Sequence, residues 1–245
     1  MKNVKPHNQQ TGGSRNPYAH SRLLTTLLED AYGPPTLKQG RLEPLDELIA
    51  CILSQHTSDL NSMKAFETLK SRYASWDEVA HAPAEEIADV IRSGGLANSK
   101  SVRIKEVINV IYAQRGEYSL EFLRTLSDTE AWQWLEALPG VGPKTAAIVL
   151  CFALFRPVIP VDTHVFRVAW RLGLIEKRLG EGKAHFALLE MVEPELAFRF
   201  HAALINHGRG ACKAPKPRCS DCPITEHCTY FASNVAHQPA ALPGK

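Results

Sequence analysis

The sequence predicts an all-α protein, and three observations carry that prediction. Apolar residues recur at helical spacing along almost the whole chain, capping-box signatures mark helix starts, and no segment alternates apolar and polar residues as a half-buried strand does. The chain has 245 residues, 44% hydrophobic and 22% charged. That suffices for one large core or two small ones, and it excludes disorder, collagen and a disulfide-stapled miniprotein as overall descriptions. The longest apolar run, Ala146 to Phe155, is ten residues, whereas a membrane span needs about 20. The first twenty residues lack the apolar stretch of a secretory signal. The expectation is a soluble, intracellular protein with no membrane partner.

Residues 1–19 are polar and aperiodic and read as a flexible arm. A first helix is placed near Ser21 to Tyr32. Leu45, Leu48, Ile49, Ile52 and Leu53 then follow the i, i+3, i+4, i+7, i+8 rule of an amphipathic helix. Ser75-Trp76-Asp77-Glu78 and Ser127-Asp128-Thr129-Glu130 have the form in which a Ser oxygen and a Glu carboxylate satisfy amides at a helix start. Pro83 suits the first turn of a helix that Gly94-Gly95 end, and Gly116 ends the next, which begins near Ser99. The stretch 231–245 reads as a flexible tail. About ten short helices with brief connections result, packed antiparallel around shared apolar faces.

Leu138-Pro139-Gly140-Val141-Gly142 separates two helices, with Pro143-Lys144 opening the second. Pro139 cannot lie inside a helix and the glycines permit a tight hairpin. Such a hairpin presents backbone amides to a phosphate oxygen, although it also serves as a plain structural connection. Lys144 falls in the first turn, where stability alone would favour an acid. Only a neutral amine attacks carbon, and a positive helix end eases loss of the proton, so the address suits a nucleophile as well as a surface lysine. Further on, Val161-Asp162-Thr163-His164 precedes another helix, and N-capping is the ordinary role of an Asp there.

Cys51 and Cys151 sit in apolar patterns as small core residues. Cys212, Cys219, Cys222 and Cys228 crowd into seventeen residues with spacing C-x6-C-x2-C-x5-C. Zinc usually takes paired CxxC knuckles, and only Cys219 and Cys222 have that spacing; wider spacing suits a cubane cluster on four thiolates, and disulfides suit a secreted chain. Net charge is only +2, so no global basic field points to nucleic acid. Locally, Arg199, Arg209, Lys213, Lys216 and Arg218 fall in twenty residues without an acid. This is a positive patch, or a solvated face if nothing docks there.

Leu138 to Ala146, Val161 to His164 and the cysteine spacing, in this order, resemble endonuclease III, the helix-hairpin-helix DNA glycosylase family with an iron-sulfur cluster. The resemblance runs from about Leu45 to Tyr230. It implies two helical domains with the active site in the cleft between them: a barrel with the hairpin, residues 37–155, and a cluster domain, residues 20–36 and 156–230. It implies a bifunctional glycosylase and AP lyase of base excision repair that removes oxidised pyrimidines from duplex DNA. Lys144 attacks C1′ of the damaged nucleotide and forms a Schiff base, Asp162 assists base departure, and β-elimination cuts the strand. Adenine-excising relatives usually lack this lysine.

The resemblance also selects a 4Fe-4S cluster on the four cysteines, whose net charge of about −2 with its thiolates offsets the formal +2. That cluster would pin Lys213, Lys216 and Arg218 against phosphates. Leu138, Gly140 and Gly142 fall to the DNA-binding hairpin. A nucleotide rotated out of the duplex leaves a gap, and Gln55-His56 and Leu96 match the polar plug and the apolar wedge that fill it. His56 stands where glutamine is commonest, which leaves open a mismatch or narrow-range glycosylase with weak lyase activity; a non-catalytic DNA-binding module is a third reading. The implied partner is double-stranded DNA with a damaged base or abasic site. A monomer in the bacterial or archaeal cytoplasm, with the nucleoid, is expected.

Overall fold

A computed structural model describes residues 18–35 and 42–234. The arm at residues 1–17, the start of the expected barrel at residue 37 and the tail from residue 235 lie outside the described residues. Among those described there are twelve α-helices and no strand: α1 (Ala19–Tyr32), α2 (Pro44–Ser54), α3 (Asp59–Arg72), α4 (Trp76–His81), α5 (Ala84–Val90), α6 (Ala97–Arg115), α7 (Asp128–Glu136), α8 (Pro143–Ile148), α9 (Thr163–Leu172), α10 (Glu181–Leu189), α11 (Ala197–Arg209) and α12 (Thr229–Asn234). The last of these takes the chain helically to Asn234, four residues into the stretch read as tail.

The capping signals act as local chemistry requires. Ser127 and Glu130 form a complete reciprocal box at the start of α7. At α4 the Ser75 hydroxyl accepts from Glu78 N–H, but the Glu78 carboxylate bonds Ala74 N–H rather than that of Ser75. Gly116 ends α6 in the left-handed region. The same helix begins at Ala97, two residues before the expected start, because Leu96 itself adopts left-handed dihedrals and turns the chain into it.

Two apolar cores result. One gathers Leu45 through Val158 from α2 to α8; the other joins Leu24 and Leu28 of α1 to Ile159 through Ile224. The chain passes from the first to the second between Val158 and Ile159. The lobes touch through rings on both flanks of α8. Phe152 meets Phe198 and His201 of α11 edge-on, at 5.2 and 5.5 Å between centroids, and Trp132 meets His185 and Phe186 of α10 at 5.4 and 5.1 Å. Helix α8 continues into a π-turn, Val149–Ala153, which carries Phe152 into this junction. Wide turns of this kind recur at functional sites.

Candidate active site and DNA-facing loops

The hairpin is closed by Val141 N–H donating to Leu138 C=O at 3.2 Å. Gly140 has φ +73°, which favours glycine, and a Cβ there would push aside the flexible Arg103 side chain, 2.8 Å away. Leu138 is 3% exposed and belongs to the barrel core, so only its backbone is available to DNA. Gly142 caps α8, Pro143 takes the first helical position, and Lys144 stands exposed beside it.

Asp162 caps α9 with one oxygen: Oδ1 accepts from the N–H groups of His164 (2.9 Å) and Val165 (2.8 Å). That leaves the second oxygen out of the cap. His201 of α11 links the two expected catalytic residues. Its Nδ1 donates to Pro160 C=O at 2.7 Å, and its ring feels the charges of both Asp162 and Lys144. Burial pushes this imidazole down to about 4, so it is neutral at neutral pH. On the other flank the Cys51 thiol feels Lys144 as well as Glu47. Lys144 therefore acts on α2 and α11 at once, at the meeting of the lobes, while no ion pair joins it to Asp162 among the described residues.

Gln55 and His56 follow α2, exposed, and Leu96 precedes α6, 58% exposed rather than tucked onto the core. His56 (φ 54°) and Leu96 (φ 50°) are both left-handed, which for residues with a Cβ costs roughly 1–2 kcal/mol each. Such strain persists only where the surroundings enforce it. Lys100, which sequence reasoning passed over, does so. It is 4% exposed, and its Nζ donates to Leu53 C=O at 2.7 Å and Gly94 C=O at 2.8 Å. One ammonium thus ties together the ends of the two loops. The only sequence signal was a lysine in a helix whose neighbours Ser101 and Ile104 are apolar-facing.

The four cysteines line one cavity with Arg171, His207 and Arg218. Among the described residues no group of three or more His, Cys, Asp or Glu side chains is placed to hold a metal ion, and all four thiols are free of disulfides. Burial raises the Cys219 and Cys228 thiols and pushes Cys222 to about 11, so thiolates here need a positive partner. Arg171 donates to Cys212 Sγ (3.3 Å) and to the carbonyls of Lys213 (2.8 Å) and Ala214 (2.9 Å), while its Nε is buried without a partner. A cationic core on four sulfurs, anionic only once its thiolates are counted, fits a site where a guanidinium stands beside the sulfurs. Of the five basic residues nearby, Arg199 pairs with Glu29 and Arg209 with Asp59, whereas Lys213, Lys216 and Arg218 are exposed and make no ion pair among the described residues.

Replacing Lys100 by Met should strand two buried carbonyls, lowering stability by about 3 kcal/mol in urea unfolding and slowing base excision beyond any loss of DNA affinity. The pH dependence follows from His201. Unfolded, it takes up a proton near its ordinary 6.5; folded, it refuses one until about 4, so its contribution is lost as pH falls through that window. Melting temperature should drop across that range, and His201→Gln should flatten the slope by up to one proton.

With this geometry in place, comparison with known proteins is direct. Residues 49–194 match the HhH-GPD superfamily base excision DNA repair protein model. The chain is similar to endonuclease III of Escherichia coli, 35% identical over 214 residues covering 84% of this chain and 93% of that protein. It is also similar to a putative DNA glycosylase of Arabidopsis thaliana, 40% identical over 189 residues that cover 74% of this chain and 64% of that protein's length. Among solved structures, a trapped endonuclease III–DNA covalent intermediate superposes with a TM-score of 0.73 at 28% identity, covering 86% of this chain and 95% of that one. The chain belongs to the HhH-GPD superfamily of base excision DNA repair proteins and, within it, to the endonuclease III family of DNA glycosylase/AP lyase enzymes.

Proposed function

We propose that the protein removes oxidised pyrimidines from duplex DNA through a Schiff base on Lys144 and then cleaves the strand by β-elimination, acting as a monomer in a bacterial or archaeal cytoplasm. The supporting observation is that Lys144 and Asp162, on different lobes, act on the same buried imidazole across the cleft. The solved relative trapped covalently on DNA agrees with such chemistry.

In this reading the Lys144 amine bonds to C1′ of the extruded deoxyribose, the glycosidic bond breaks, and its electron pair leaves with the base. Loss of the amine proton and ring opening give the imine, and removal of a C2′ proton then expels the 3′ phosphate. A carboxylate in contact with Lys144 would hold it charged. Here Asp162 is not ion-paired to it and commits Oδ1 to α9, so Oδ2 is left to stabilise positive charge on the sugar. His201, being neutral, adds no opposing charge. Gln55, His56 and Leu96 fill the space left by the rotated nucleotide, and Gly140 and Gly142 bring the hairpin amides to the phosphate.

Cys212, Cys219, Cys222 and Cys228 would hold a 4Fe-4S cluster, whose chemistry here is structural. Arg171 orients the loop around it and leaves Lys213, Lys216 and Arg218 to phosphates. His56, exposed and strained in the plug position, favours a second reading, a mismatch or narrow-range glycosylase with weak lyase activity.

Borohydride should trap wild-type protein on damaged duplex. Lys144→Gln should abolish the adduct and strand cleavage, whereas Asp162→Asn, which keeps a capping oxygen, should lose base excision in single-turnover assays yet still bind DNA. Full excision by the asparagine variant would reduce Asp162 to a helix cap. A lesion panel against four opposite bases separates broad from narrow specificity. The purified protein should be yellow-brown with about four irons per chain, and removing iron should weaken DNA binding; a colourless protein with stoichiometric zinc contradicts the cluster.

A further inference from the structure

His207, in the last turn of α11, is buried and bonds two of the four clustered cysteines. Its backbone C=O accepts from Cys212 N–H at 2.9 Å, and its Nε2 lies 3.7 Å from Cys222 Sγ. On the other side of the ring, Nδ1 lies 2.9 Å from the Tyr32 hydroxyl of α1. Tyr32 packs on Gly210, where a Cβ would stand 3.2 Å from the phenol ring, and its oxygen accepts from Ala211 N–H. The same tyrosine lines a cleft of about 610 Å³ between α2 and α3 on one side and α11 on the other. Tyr32, His207 and Cys222 therefore stand in one hydrogen-bonded line from the cleft wall to the cysteine loop.

The direction of the bonds in that line depends on the state of Cys222. A thiolate only accepts, so beside it Nε2 must carry the ring proton, Nδ1 is bare, and the Tyr32 hydroxyl donates to it. A neutral thiol allows the reverse, with S–H donating to Nε2 and Nδ1–H to the Tyr32 oxygen. Ala211 N–H already occupies an acceptor position on that oxygen, which favours the first direction. We propose that Tyr32 and His207 are positioning residues for the iron-sulfur site: Tyr32 O–H fixes the ring proton of His207 on Nε2, and Nε2–H donates to the Cys222 thiolate. This rests on the cluster assignment and deepens it. Fixing a tautomer through the second ring nitrogen is how outer residues hold metal ligands. Cys212 receives its own donor from Arg171, at 3.3 Å. An N–H bonded to a thiolate sulfur favours the more negative state of a cluster, so it raises the reduction potential.

The test uses full-length protein purified with its iron, in film voltammetry on a carbon electrode without DNA. His207→Leu should raise the oxidised-to-reduced ratio at the wild-type midpoint about tenfold, a negative shift of about 59 mV for one electron. His207→Gln, whose amide N–H takes the place of Nε2–H, should stay within about threefold of wild type in that ratio. Tyr32→Phe removes a hydroxyl that touches no sulfur, and should shift the potential the same way by less. Nitrogen-15 NMR of the histidine-labelled wild type should show the Nε2–H tautomer at His207. A purely packing role would lower iron content or melting temperature and leave the potential of the retained clusters unchanged. If His207→Leu loses its iron, Tyr32→Phe, which keeps the ring, decides the matter. An unshifted potential in a variant that retains its iron, or an Nδ1–H tautomer, overturns the role of the pair. A colourless wild-type protein, or one that holds zinc, instead overturns the cluster assignment itself.

Discussion

Asp162 caps a helix with one carboxylate oxygen and leaves the other out of the cap, and the chemistry proposed for the cleft depends on that division. Bonding two amides through Oδ1 fixes the side chain at the first turn of α9 and points the remaining oxygen by default. The extended segment before it is held in turn by His201, which donates to Pro160 C=O from the neighbouring helix. A buried imidazole with one proton directed at a backbone carbonyl has no freedom to rotate, so α11 sets the approach of α9 to the barrel. Both readings of Asp162 made from sequence, a cap and a catalytic carboxylate, are then compatible in one residue.

The far end of α9 is fixed as firmly. Arg167 donates to the carbonyls of Cys212 (3.1 Å) and Gly208 (2.9 Å), and Arg171 reaches the two residues beyond Cys212. Apart from that of Gly208, on α11, those carbonyls belong to the loop that carries the cysteines and the unpaired lysines. One helix thus has Asp162 at its N-terminus and the basic, cysteine-bearing loop against its C-terminal half. In the proposed reading, rigid spacing between them would let backbone contacts on the DNA set the position of a sugar carbon.

On the barrel side, Lys100 performs the matching task. Its ammonium loses most of its water, which lowers its hold on a proton, and gains two carbonyls from segments 41 residues apart in sequence. The strain at His56 and Leu96 lies immediately beyond those carbonyls. Two exposed, left-handed residues whose loops are tied through one ammonium fit the proposed plug and wedge.

Much of this was readable from residue patterns, because it rests on short-range chemistry. Helical spacing, the Ser127 box, the Gly116 stop, the Pro-Gly hairpin and the crowding of four cysteines are each decided by backbone sterics and by groups within a few positions. The amino-acid order alone therefore determined an all-helical chain, a lysine at one helix start, an aspartate at another, and the family these belong to. Only the tertiary structure decided that Lys144 and Asp162 act on one imidazole, that Lys100 is a buried clamp rather than a surface charge, that Leu138 is core, and that Tyr32 and His207 stand in line with Cys222. These are facts of burial and of contact between distant segments, and the energy of a charge depends on which groups surround it in space, not on its neighbours along the chain.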